Sequence, residues 1–180
     1  GPEDELVARR GRLTDLIVVA QPTSGGNVVP TVSFEAALLD TGKPVLAVPN
    51  TSGGMARLDE GPVLIAWNGS VEAARAITAA LAFLPTARRV AVLSIVEGGK
   101  AADPTNVLNY LRWHGIKADA LTPAAKSAPA GAQILTEADT VKAGLLVMGA
   151  YTRSRLRRMV FGGVTEHVLA NAPLPVLMVH

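Results

Sequence analysis

The stretch "GAYTRSRLRRMVFGGVTEHVL", residues 149–169, holds four arginines between a single glycine and a Gly-Gly pair, directly after the apolar run "LLVM". Gly162 and Gly163 precede a segment expected to be helical from Val164. Unpaired backbone N–H groups at that helix start would face an anion, the helix dipole would favour negative charge, and glycine removes the side chain that blocks close approach. Thr165 adds a hydroxyl donor, and Arg153 lies within reach of a bound phosphate. The plainer reading of the same residues is a turn followed by a solvated basic loop, with Arg155, Arg157 and Arg158 facing water. A second segment, "VLIAWNGS", puts Asn68, Gly69 and Ser70 after another apolar run, and Ile95 stands late in a third, "VAVLSIV". An apolar side chain there suits the flat face of a base.

Other chemistry finds less support. The chain has no cysteine and three histidines, His114, His167 and His180, at no metal-binding spacing. Ser70 lacks the flanking glycines of a nucleophile elbow and reads as a helix cap. No "GK[ST]" follows a strand, so a Walker phosphate loop is absent. Asp119 and Asp139 have no evident acidic partner for paired-carboxylate work. Trp67 and Trp113 sit in or beside apolar runs, where core packing is the default. No catalytic residue and no metal ligand is assigned, and the chain is read as non-enzymatic or barely enzymatic.

These residues need a scaffold that brings strand ends together. From residue 60 onward, short apolar runs alternate with helix-length segments. Strands are expected at 63–67, 90–96, 118–121, 145–148 and 176–179. Helices are expected after Ser70 (Ala73, Ala74, Ile77, Leu81 and Leu84 on one face), after Asp103-Pro104, over about 128–143 and over 164–171. The alternation implies an α/β, doubly wound, open parallel five-stranded sheet flanked by helices. Ligands of such sheets bind beyond the carboxyl ends of the strands, where strand order reverses. That is where Asn68 and Gly149 would lie.

The first fifty residues repeat the end of this pattern: helix, strand "DLIVVA", helix, strand "PVLAVP". At an offset of 131, Glu35 falls on Glu166, Leu38 on Leu169 and Pro44 on Pro175. An internal repeat is expected, with residues 1–49 a partial first domain, 50–61 a turn-rich linker and 62–180 a complete domain. A half sheet leaves an edge and an apolar face uncovered, so it must lean on the second copy or belong to a longer tandem protein.

With 49% hydrophobic residues, 4% aromatics and a formal net charge of +2, the chain offers neither a stacking platform nor a broad basic face. No nucleic acid is expected as a partner. Apolar runs fall well short of the roughly 20 residues that cross a bilayer, so no membrane is expected either. No secretory signal is evident at the start, which leaves the cytoplasm as the default location.

The residues "VLIAWNGSVEAARA" and "LLVMGAY…FGGVTEHVL…PLPVLMV" resemble the universal stress protein family, in particular its tandem bacterial members. The resemblance covers essentially the whole sequence, residues 1–49 being similar to the last third of a preceding domain. It implies a stress-response role and self-association through the last strands, Pro44–Pro49 and Pro175–His180. It also implies a site for ATP or a related adenine nucleotide, with which a magnesium ion is compatible. The family's glycine pattern falls on Gly149, Thr152, Gly162 and Gly163. Thr152 replaces a glycine, Gly163 replaces a serine or threonine, and Asn68 stands where the family has an aspartate. The nucleotide site expected from residues and resemblance together is Asn68, Ile95, Gly149, Thr152, Arg153, Gly162, Gly163, Val164 and Thr165. The alternative is an interaction module of the same fold, with an empty crevice, acting through dimerisation.

Overall fold

A computed structural model describes residues 2–22, 32–49, 61–97, 100–124, 127–151 and 163–180. Their elements run α1 (Glu3–Gly11), β1 (Ile17–Ala20), α2 (Val32–Leu39), β2 (Val45–Val48), β3 (Val63–Trp67), α3 (Val71–Ala80), β4 (Val90–Ser94), β5 (Val96–Glu97), β6 (Lys100–Ala101), α4 (Thr105–Trp113), β7 (Ala118–Leu121), α5 (Ala130–Thr140), β8 (Leu145–Gly149), α6 (Gly163–Asn171) and β9 (Val176–Val179). The order matches the sequence reading except for β5 and β6, a short antiparallel pair after β4 that apolar patterning did not announce.

One sheet carries both copies. Its order is β1-β2-β9-β8-β3-β4-β7, and every neighbouring pair is parallel except β2 with β9. The five strands from β7 to β9 are the expected parallel sheet. The partial copy adds two more by pairing its last strand against the last strand of the complete copy, with Val45 opposite Met178 and Ala47 opposite Val176. The half sheet therefore leans on the second copy within the chain. Of the expected linker, 50–61, residues 50–60 lie outside the described residues. Gly61 closes the connection: a Cβ there would run into the Gly144 backbone.

Two apolar layers flank the sheet. On one face Phe34 and Leu38 of α2, Ile134 and Ala138 of α5, and Val168 and Leu169 of α6 pack with Leu64, Leu146 and Met178. On the other, Ala76, Ile77 and Ala80 of α3 and Val107 and Leu111 of α4 pack with Ile65, Val92, Val147 and Leu177. Strands covered on both sides need not alternate, which is why β4 and β9 are buried at every position.

Two packing expectations are corrected. Trp113 is 82% exposed. It lies two residues beyond the buried Leu111, about 200° around the helix, and so on the opposite face. On α3 the buried residues are Glu72, Ala73, Ala76, Ile77 and Ala80, while Ala74 faces water. The buried stripe is turned one position from the expected one, and Glu72 and Ala73 of its first turn lie close against Gly149 of β8. Trp67 is half buried and donates its indole N–H to the Asp103 carbonyl at 2.9 Å.

The repeat also acquires a register. Ile17 pairs with Val45 and Leu146 with Val176, so β1 aligns on β8 at an offset of 129 while β2 aligns on β9 at 131. Matching hydrogen bonds support this alignment: Ile17 N to Pro44 O and Leu146 N to Pro175 O, both 3.0 Å, then Gln21 N to Val48 O at 2.7 Å and Ala150 N to Val179 O at 2.9 Å. The connection between strand and helix is thus two residues longer in the second copy. Ala20 is the counterpart of Gly149, and Val18 of Val147.

Candidate functional site

Strand order reverses between β3 and β8, since β3 connects onward to β4 on one side and lies beside β8 on the other. Beyond their carboxyl ends the structure brings Asn68 and Gly149 to one rim, as the topology demands. The turn after β3 is tightly specified. The Asn68 amide oxygen accepts the Ser70 backbone N–H at 3.1 Å, and Gly69 has φ +80°, a left-handed conformation that favours glycine. The Ser70 hydroxyl then accepts the Ala73 N–H at 3.1 Å, capping α3 as its sequence position predicts. Asn68 and Gly69 are exposed. The Asn68 oxygen is engaged in the turn, and its NH2 group remains the donor it can offer a ligand.

Gly149 has a packing role that spacing alone did not reveal. A Cβ at this position would lie 2.5 Å from the Ala73 backbone nitrogen and 2.7 Å from the Glu72 carbonyl carbon. Only glycine lets the start of α3 seat against the end of β8. The two lips of the crevice are held together by that contact.

Beyond Gly149 the chain turns at Tyr151, which has φ +47° and is 6% exposed. A left-handed conformation is costly for a bulky residue and is sustained only where the surroundings over-determine it. Its N–H reaches the Thr165 hydroxyl at 3.4 Å, and its ring packs in the layer with Phe34 and Val168. Burial, followed by the charges of Glu166 and Glu35, pushes its phenol pKa up to about 12. Glu35 and Glu166 are the repeat-related pair, so the phenol sits where the two copies meet. The sequence reading missed Tyr151, and no local signal marked it.

The remaining expected residues divide. Gly163 begins α6 and is exposed, with nothing within 4 Å of a would-be Cβ, so a larger residue would fit there. Val164 packs partly into the core. Thr165 is buried, and its hydroxyl ties α6 to Tyr151. Ile95 is 5% exposed, its side chain in the core layer and its N–H donated to Trp67 O at 2.8 Å. The residue after it is clamped by the buried Gln133, whose side chain bonds both the Val96 N–H (3.2 Å) and the Val96 carbonyl (3.0 Å). Thr152, Arg153 and Gly162 lie outside the described residues, as do Arg155, Arg157 and Arg158.

Elsewhere the ionic features are ordinary. Asp119 pairs with Arg89 and Asp139 with Lys142, each at 2.9 Å on exposed surface, where such pairs contribute little. Thr105 donates its hydroxyl and its N–H to Asp103 and holds that carboxyl below the usual range. Among the described residues no group of three or more His, Cys, Asp or Glu is placed to hold a metal, and no helix is long and apolar enough to cross a membrane.

Residues 114–180 match the sequence pattern of the Universal stress protein family. Among solved structures, a universal stress protein from Archaeoglobus fulgidus superimposes with a TM-score of 0.76 at 20% identity, over 98% of this chain and 66% of that one. A putative universal stress protein from Pseudomonas aeruginosa does so with a TM-score of 0.64 at 16% identity, over 99% of this chain and 68% of that one. The chain thus spans about two thirds of the length of these structures. No curated protein matches it in sequence. The resemblance read from the residues is thus met by the family's sequence pattern over residues 114–180 and by the fold of universal stress protein structures over the described chain.

Proposed function

We propose that the chain is a stress-response module that holds ATP or a related adenine nucleotide beyond the carboxyl ends of β3 and β8. One observation carries the reading. Where the parallel strand order reverses, the exposed Asn68–Gly69 turn follows β3 beside Gly149, which ends β8 against α3, and the chain that leaves β8 leads to the exposed helix start at Gly163. A helix start with no side chain at its first residue attracts phosphate, and the Asn68 NH2 group suits a ribose hydroxyl or a base edge. Thr152, Arg153 and Gly162 complete the proposed phosphate path. Ile95, buried as it is, would line the floor beneath the base and need not touch it edge-on.

Gly163→Glu tests this without threatening the fold, because a Cβ there meets open space. Equilibrium titration with labelled ATP should give micromolar-range binding to the unaltered chain and at least tenfold weaker binding to the variant. Absence of binding at millimolar ATP would sink the proposal. The second reading, an interaction module with no nucleotide, draws support from the engagement of the Asn68 oxygen with Ser70. Mass spectrometry of small molecules released from the purified protein separates the two: co-purified triphosphate favours the first and nothing bound favours the second.

A further inference from the structure

The edge of the sheet farthest from the partial copy carries a bare aromatic ring in basic company. Trp113, the last residue of α4, is 82% exposed. The chain then doubles back at Gly115, with φ +74°, and the Ile116 N–H reaches the Leu111 carbonyl at 2.9 Å, so Lys117 enters β7 directly beside the end of α4. β7 pairs with β4 in parallel, Val90 beside Ala118, which puts Arg89 next to Lys117 across the ladder and Arg88 one residue before it. Arg88, Arg89, Arg112 and Lys117 are all exposed. No aspartate or glutamate occurs in residues 73–96 or 104–118. Asp119 pairs with Arg89 at 2.9 Å, and among the described residues Arg88, Arg112 and Lys117 have no acidic partner. The whole corner lies within the described stretches 61–97 and 100–124.

A cation in the last turn of a helix meets the negative end of the helix dipole, which accounts for Arg112. It does not account for Arg88, Lys117 or the indole. The inward residues of α4 are Val107 and Leu111, so its packing does not use Trp113, and a side chain this large and apolar is seldom left so open. We infer that Trp113 with Arg88, Arg112 and Lys117 forms a docking surface for an anionic lipid bilayer. At 82% exposure the ring has too few neighbours to form the wall of a groove, so a partner must take it in rather than fit against it. The interface of a bilayer does that without a preformed hole: the body of the indole settles against the acyl chains, its N–H stays among the head groups, and anionic head groups meet the cations. Nucleic acid has less claim, since successive bases need several stacking rings and this corner offers one. The expectation of no membrane rested on the lack of a spanning run, and attachment to a surface requires none. With one ring and few cations, the attachment is weak, reversible and sensitive to salt.

Co-sedimentation of the full chain with vesicles tests this, using equimolar phosphatidylserine and phosphatidylcholine against phosphatidylcholine alone. At low salt, partition onto the anionic vesicles should exceed that onto the neutral ones about tenfold, and about half-molar salt should abolish the difference. Trp113→Ala, and the double variant Arg112→Glu with Lys117→Glu, alter exposed residues and should keep the melting temperature while each lowers the anionic partition about fivefold or more. Brominated acyl chains should quench the emission of the unaltered chain but not that of Trp113→Ala, whose remaining indole, Trp67, is bonded to the Asp103 carbonyl. Equal partition onto the two kinds of vesicle overturns the inference. So does partition that survives Trp113→Ala, because the charges alone would then be acting. An emission change produced by a single-stranded oligonucleotide and by no vesicle overturns it as well, by giving the corner to nucleic acid.

Discussion

β1 and β8 are the same strand built twice, with different company. Their backbones pair with the following strand through matching hydrogen bonds. Yet Val18 is 60% exposed and Val147 is 0% exposed. Backbone pairing therefore did not depend on covering the second face; the antiparallel seam between β2 and β9 and the helix layer of α2 suffice to hold β1 in place. What the covering changes is the end of the strand. β8 ends in a glycine because α3 sits on it, and β1 ends in Ala20, which nothing in the described chain crowds. That crowding seats α3, and with it the Asn68 turn that precedes the helix, against the end of β8.

The comparison is broken most forcefully by charge. Val147→Asp buries an unpaired carboxylate between two helix layers and should cost roughly 4 kcal/mol or more, whereas Val18→Asp should stay within about 0.5 kcal/mol. Urea midpoints of the two variants give the contrast directly, and equal losses would show that β1 is covered in solution. Next in size, Gly149→Ala drives a methyl into the α3 backbone and should cost about 1–3 kcal/mol, while Ala20→Val on the counterpart should be nearly neutral.

A smaller effect tests the seam. Gln21, at the end of β1, donates its side-chain N–H to the Leu174 carbonyl at 3.0 Å, joining the copies across 153 residues of sequence. Gln21→Ala should cost about 1–2 kcal/mol by leaving that buried carbonyl unpaired, measured by thermal unfolding. The smallest effect is one of pH. Tyr151 holds its proton more tightly folded, near pH 12, than unfolded, near 10. The folded state then binds more protons than the unfolded one between these values, so stability falls as pH rises through them and is unaffected below about 9. Tyr151→Phe should flatten that decline, and an unchanged alkaline profile would place the phenol in water.

Much of the fold was legible in the residues. Apolar runs without alternation marked the parallel strands, Ser70 marked the start of α3, and Pro44-Pro175 with Glu35-Glu166 marked the repeat, because each reflects a local preference or a spacing. The placement of the candidate residues was legible in part. Asn68, Gly149 and Gly163 follow from strand and helix ends, but the turned face of α3, the exposure of Trp113 and the left-handed Tyr151 depend on neighbours distant in sequence. A constant offset of 131 also concealed the two-residue difference in the connections after β1 and β8, which only hydrogen-bond register exposes.

By itself, then, the sequence determined the alternating α/β order, the repeat and the residues that end the strands, since propensity and periodicity act over a few residues at a time. Tertiary structure decided that two strands and five join into one sheet through an antiparallel seam. It also decided that Gly149 serves to seat α3, and that Val18 is exposed where Val147 is sealed. Those outcomes turn on which surfaces meet, and no residue carries that information within its own segment.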